Sequence, residues 1–401
     1  MLYHNMPATI SFSNIQEHLF QLSAEELNML SSLETPAFEI YQEHIKALLE
    51  TLAPFQTYTT ILLVANGGSL WSSIAYNTAL GKNNGKRLIV INDMDPDRIL
   101  RMRQECSHET SLVVVISKSG SAIGIFETLF ALWDYPKLFV TIPETPLAQV
   151  GEREHIVTIF HPEVSGRYSS FTSSAYVPSI LLGLPVEEIE NGGREGYAMY
   201  NTVNEEHSAL RLATALFRLE EKGYAEVFLP IYSHFLRGFS MIVTQLFHES
   251  FGKDGKGLTV LAAEAPESQH HTNQRFFGGR KNMIGCFLHT HNVSHDINLN
   301  VPKSLQNISL HNGSLGDLHK QSLTRSFQSE YEGTVAHAKE SGIPTIEISV
   351  SHISGYEIGN LMAFWHYVSV FSSLLRGVNP YNQPEVERSK EIALRQRNTI
   401  R

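Results

Sequence analysis

The sequence predicts two tandem doubly wound α/β domains, each a parallel sheet covered by helices, with helical extensions at both ends. Three observations predict it. Short apolar runs rich in β-branched residues alternate with helical patterns. The alternation fades near residue 190 and resumes after residue 206. The turns behind several strands are rich in glycine, serine or histidine. Parallel strands buried on both faces read as continuous apolar runs, and strands alternating with helical stretches of roughly 10–15 residues mark βαβ units.

Residues 1–44 read as a polar, amphipathic helical segment, with Ala24-Glu25-Glu26-Leu27 opening one turn. The first domain is expected at 45–205. Thr59–Ala65 is a strand, followed by Gly67-Gly68-Ser69 and a helix. Arg87–Asn92 is a strand and Pro96–Glu105 a helix. Leu112–Ser117 is a third strand, followed by a Gly/Ser turn and the helical Ile125–Trp133. Lys137–Ile142 is a fourth strand. A junction is expected near 190–207, where Asn191-Gly192-Gly193 interrupts the chain. The second domain is expected at 206–378. It opens on the amphipathic helix Ser208–Lys222, then strand Ala225–Ile231 and the long helix Phe235–Phe251. Strands Gly257–Ala263, Asn282–Leu288 and Pro344–Val350 follow, then the apolar helix Gly359–Leu375. Residues 379–401 carry the polar helix Pro384–Arg397, expected to pack on the site. Open parallel sheets bind ligands at the carboxyl ends of their strands, so the loops there should hold the chemistry.

Composition narrows the function. With 401 residues, 42% hydrophobic and 18% charged, the chain can build sizeable cores. Net charge is −10 and no basic block is present. Nucleic-acid binding needs clustered Lys and Arg to displace counterions, so it is not expected. Cys106 and Cys286 have neither CxxC nor zinc-type spacing and read as reduced thiols. The first twenty residues lack a basic stretch followed by an apolar one, and no run of about 18 apolar residues occurs. A cytoplasmic protein without membrane contact is expected.

Two loops are suited to an anion. Asn66-Gly67-Gly68-Ser69 joins a strand to a helix. Glycine lets backbone approach a ligand, and a helix N-terminus presents unpaired N–H groups with partial positive charge. Taken alone it could equally be a tight turn; it is not the GxGxxG of a dinucleotide site. Ser117-Lys118-Ser119-Gly120-Ser121 supplies three hydroxyls and an ammonium at another strand end. That donor set suits a phosphate monoester, and the spacing is not that of a nucleotide P-loop.

Five segments, in order along the chain, carry a resemblance. Ser117-Lys118-Ser119-Gly120-Ser121 leads to Glu127-Thr128; Ser165-Gly166-Arg167-Tyr168-Ser169 follows. Then come Glu249-Ser250-Phe251-Gly252-Lys253, Gln269-His270 with Gln274, and Gln383-Pro384-Glu385-Val386-Glu387-Arg388-Ser389-Lys390. They resemble the SKxxxTxET, GGRYS, ESxGK, QHxxxQ and QPGVExGK segments of the phosphoglucose isomerase family, whose fold is two flavodoxin-like sugar-isomerase (SIS) domains. Three departures stand out. The phosphate loop is three residues longer before Glu127-Thr128, Ser165 replaces glycine, and Glu385 and Ser389 replace glycines in the last motif.

The resemblance implies glucose 6-phosphate to fructose 6-phosphate isomerisation through a cis-enediol, with no metal and no cofactor. Glu249 would move the proton between C2 and C1. A carboxylate in a closed pocket gains basicity by desolvation. Arg167 would stabilise the enediolate, since a guanidinium stays charged and rigid. His270, contributed across the interface of a homodimer, and Lys390 would open the sugar ring; His271 is the competing histidine. Gly67, Gly68, Ser69, Ser117, Lys118, Ser119, Ser121, Thr128 and Gln383 would bind the substrate. A dual isomerase also acting on mannose 6-phosphate and a non-catalytic sugar-phosphate sensor are the alternatives. The sensor is disfavoured because Glu249 and Arg167 are both kept.

Overall fold

The computed structural model describes residues 8–82, 84–204 and 207–399. Its strands in chain order are β1 (Thr9–Ser13), β2 (Thr60–Ala65), β3 (Arg87–Ile91), β4 (Ser111–Ser117), β5 (Lys137–Thr141), β6 (Thr158–Phe160), β7 (Glu226–Tyr232), β8 (Thr259–Glu264) and β9 (Met283–Thr290). A small hairpin, β10 (Ser309–Leu310) and β11 (Gly313–Ser314), precedes β12 (Thr345–Val350). One sheet has the order β3-β2-β4-β5-β6, all parallel. The other has the order β8-β7-β9-β12-β1, parallel except for its last pair. Both sheets therefore run second-first-third-fourth, the doubly wound order whose crevice opens beside the first strand. In the first sheet that crevice lies between the ends of β2 and β4.

The expected strands form where the apolar runs lie, each within a residue or two. β2 and β4 are buried along their whole length. Their register pairs Ile61 with Leu112 and Leu63 with Val114. These four face one core, while Leu62, Val64, Val113 and Val115 face another on the opposite side. Fully burying each such side chain contributes roughly 1.5–3 kcal/mol. The first of these cores is continuous with the second sheet, taking in Val227, Leu229, Ile346 and Ile348.

Helix Gly355–Leu375 runs through this shared core. It is long and apolar enough to cross a membrane, but 94% of its apolar window is buried inside the protein. It crosses helix Val186–Tyr200 at close range. A Cβ on Gly192 would lie 1.9 Å from the carbonyl oxygen of Tyr356, and one on Gly359 2.1 Å from that of Ile189.

Two expectations are corrected here. Asn191-Gly192-Gly193 does not interrupt the chain; it lies inside helix Val186–Tyr200, where the glycines permit the crossing. Nor is the segment 1–44 wholly helical. Thr9–Ser13 is a strand that pairs antiparallel with β12, Ile10 opposite Ile348 and Phe12 opposite Ile346. The exposed edge of β12 supplies the hydrogen bonds that outweigh local preference.

Candidate active site

A cavity of about 880 Å³ opens at the carboxyl ends of β2 and β4. Of the residues singled out from the sequence, Gly67, Gly68, Ser69, Ser117, Lys118, Ser119 and Ser121 line one wall, and Arg167, Glu249, Gln383 and Lys390 line the others. This size is ordinary for a small-molecule site.

Local sequence explains the first wall. Two residues beyond the end of β2, Gly67 has a φ of +63° with a ψ of −141°, a combination that residues with a Cβ rarely adopt. The chain then starts helix Gly68–Leu80, whose first two residues line the cavity. Gly68 is packed on the turn before Arg167: a Cβ there would lie 2.2 Å from the Gly166 carbonyl and 2.3 Å from the Arg167 nitrogen. The two loops are thus set against each other by an absent side chain. Burial holds the Lys118 ammonium below its ordinary pKa, with the Glu163 carboxylate pulling the other way. An anion beside Lys118 would favour its charged form.

Arg167 and Glu249, remote in sequence, are in contact. Arg167 Nε donates to Glu249 Oε2 at 3.0 Å, and Nη1 donates to the Glu249 carbonyl at 3.0 Å. The arginine side chain is 1% exposed and the carboxylate 29%. Helix Phe239–Ser250 carries Glu249 in its last turn. One turn earlier on the same face, Gln245 Nε2 donates to Glu249 Oε1 at 2.9 Å, so both carboxylate oxygens are oriented. The remaining guanidinium donors go to the carbonyls of Pro380 (2.7 Å) and Asn382 (3.3 Å) and to the side-chain oxygen of Gln383.

Behind Arg167, the Tyr168 hydroxyl lies 3.0 Å from that of Ser250 and 2.9 Å from that of Ser369. Two residues on, the Ser170 hydroxyl contacts His366 Nε2 at 3.1 Å, and Tyr197 contacts His366 Nδ1 at 2.7 Å. His366 is fully buried, and burial pushes its imidazole down to about 3. This network ties the arginine segment to the central helix.

The C-terminal helix Glu387–Thr399 forms the outer wall. Arg397 reaches the helix after the phosphate-type loop, with Nε and Nη2 each 3.0 Å from a Glu127 carboxylate oxygen. Lys390 lines the cavity and donates to Glu387 Oε1 at 2.7 Å.

Two expected residues are not brought to this cavity. Thr128 is buried beneath it, and its hydroxyl donates to the Asp93 carbonyl at 3.4 Å. Thr128 shares the buried face of helix Ile123–Ala131 with Ile125 and Leu129. His270 lies in another cavity of about 680 Å³, with Gln269, Gln274, Thr334 and His337. Gln269 faces into the fold, donating to the hydroxyls of Tyr232 (3.1 Å) and Thr334 (3.0 Å). The competing His271 contacts its neighbour, the Thr272 hydroxyl, at 2.6 Å. Sequence reasoning missed Gln245, which the four-residue helical step to Glu249 could have exposed. It also missed the carbonyls of 380 and 382, for which side-chain identity gives no signal. Among the described residues, no group of three His, Cys, Asp or Glu side chains is arranged to hold a metal ion.

No family model matches the chain. Among sequence relatives, a glucose-6-phosphate isomerase of Rubrobacter xylanophilus is 25% identical over 377 residues, covering 88% of this chain and 86% of its own. Among solved structures, a hypothetical protein of Thermus thermophilus superposes with a TM-score of 0.86 at 21% identity, over 97% of this chain and 99% of the other. A glucose-6-phosphate isomerase of Chlamydia trachomatis gives 0.72 at 19% identity, over 97% and 81%.

Proposed function

We infer that this chain, related over most of its length to the glucose-6-phosphate isomerases, is an enzyme of that kind: a phosphosugar isomerase interconverting glucose 6-phosphate and fructose 6-phosphate, a step of glycolysis and gluconeogenesis. The observation that carries the reading is the 3.0 Å contact of Arg167 with Glu249 inside one cavity whose opposite wall is the hydroxyl-rich turn around Lys118.

The phosphate sits against Ser117, Lys118, Ser119 and Ser121, with the N-terminus of helix Gly68–Leu80 adding N–H donors. The sugar then extends toward Glu249. The Glu249 carboxylate takes the proton from C2; the C1–C2 double bond forms and negative charge collects on the C1 oxygen. The Arg167 guanidinium stabilises that oxygen. Transfer of the C2 hydroxyl proton to the C1 oxygen, with protonation of C1 by the Glu249 carboxyl, gives the ketose with no net change in atoms or electrons. Gln245 and Arg167 orient the two carboxylate oxygens, so the base meets the substrate already aligned.

Ring opening is assigned to Lys390 with His270 of a second copy. The separation of His270 from the cavity within one chain supports this shared arrangement, in which two copies complete each site. The buried, free thiols of Cys106 and Cys286 fit a reducing, cytoplasmic setting.

The test is a coupled assay converting fructose 6-phosphate, run on the wild type and on Glu249→Gln. The variant should lose at least ~10²-fold in kcat, the scale of a positioned acid–base group. An inactive wild type, or a variant within about threefold of it, overturns the reading.

A further inference from the structure

Arg167 shares the turn it holds with a second cation. The turn Asn379–Gln383 gives the Pro380 carbonyl, the Asn382 carbonyl and the Gln383 side chain to Arg167. From the other side, the Lys253 ammonium donates to the Asn382 carbonyl at 2.6 Å, to the Asn382 side-chain oxygen at 2.9 Å and to the Asn379 carbonyl. All three of its donors are thereby used. The Asn382 carbonyl is common to both cations. Lys253 lies three residues beyond the end of the helix carrying Glu249, and it does not line the cavity.

Two positive groups this close repel each other. They are held together by the oxygen atoms between them, and burial with the Arg167 charge lowers the Lys253 pKa to about 8, against the pull of Glu249 and Asp254. Loss of the ammonium would leave the turn attached on one side only. Arg167 would follow the turn, because four of its hydrogen bonds go there. A displacement near 1 Å at a reacting group can cost about 10²-fold.

We propose that Lys253 is a positioning residue for the isomerisation: by fixing the Asn379–Gln383 turn to the end of the Glu249 helix, it sets the place of the Arg167 guanidinium. This rests on the isomerase reading above. The role requires kcat to depend on Lys253 while phosphate binding, made by the distant Ser117–Ser121 turn, does not.

The test compares the full-length wild type with Lys253→Met, which keeps the aliphatic stem, and Lys253→Arg, which keeps charge and donors. With fructose 6-phosphate, Lys253→Met should lose at least about tenfold in kcat with KM within about twofold, and Lys253→Arg should recover to within about threefold of wild type. Hydrogen exchange at the amides of 381–383 should be faster in Lys253→Met. An unchanged kcat, a loss confined to KM, or unchanged exchange overturns the proposal. If the wild type itself does not turn over fructose 6-phosphate, the isomerase reading has failed and the exchange comparison alone judges the clamp. Should Lys253→Met not fold, Asn382→Ala removes one acceptor from the exposed side. A lower kcat at constant KM then supports the role and an unchanged kcat overturns it.

Discussion

Gly68→Ala isolates the contact that sets the two loops of the site against each other. The added methyl would meet the Gly166 carbonyl at 2.2 Å and the Arg167 nitrogen at 2.3 Å, both backbone atoms that no rotamer change can move. Optimal carbon contacts are about 3.5 Å, so the turn must retreat by about 1.3 Å or helix Gly68–Leu80 must shift as much. Either movement separates Arg167 from the wall around Lys118. Overpacking of this size costs about 1–3 kcal/mol of stability, which a chain of this length tolerates. The larger effect should fall on catalysis: about a 10²-fold loss in kcat, as expected for a 1 Å misplacement. Gly67→Ala is the control. Its Cβ would meet only Gln245 Nε2, at 3.6 Å, so the cost there is strain at a φ of +63°, not collision. The assay is fructose 6-phosphate turnover alongside thermal unfolding. A folded Gly68→Ala protein within threefold of wild-type kcat would refute the view that this close approach places Arg167.

Lys118→Ala should chiefly raise KM for phosphorylated substrate, by roughly ten- to a hundredfold for a lost hydrogen bond to a charged group; an unchanged KM removes Lys118 from the phosphate site. Inactive Glu249→Gln and inactive His270→Ala proteins, unfolded and refolded together, should regain about a quarter of wild-type activity through mixed pairs with one intact site in two; no recovery would return ring opening to a single chain. Acid should destabilise the fold through three buried histidines. Burial holds His366 down to about 3 and His161 and His289 down to about 4, so below the ordinary 6.5 the unfolded chain binds more protons. The histidine contribution to stability should be level above pH 6.5 and fall from there to about pH 4, by up to ~1.4 kcal/mol per pH unit for each histidine. Denaturant titrations at pH 7 and 5 that give equal stabilities would contradict this.

The central strands were legible because their burial on both faces leaves no polar alternation to confuse: TILLVA and SLVVVIS can hardly be anything else. Thr9–Ser13 was not, because TISFS gains its partner only when β12, more than 300 residues away in sequence, presents an open edge. Gly192 and Gly193 misled for a related reason. Their local preference is to break a helix, and only the approach of Tyr356 and Gly359 makes them a packing surface. In the site, the meeting of Arg167 and Glu249 was anticipated from their motifs, and the two side chains are in contact. Thr128 lies on the buried face of its helix, a placement that motif matching does not carry.

The helix Gly355–Leu375 belongs to neither sheet alone, and this has a consequence for how the molecule can be divided. Cut at any loop between the sheets, each fragment would bear a raw oily flank where its counterpart had been. Such fragments should clump when produced singly and recombine when produced together.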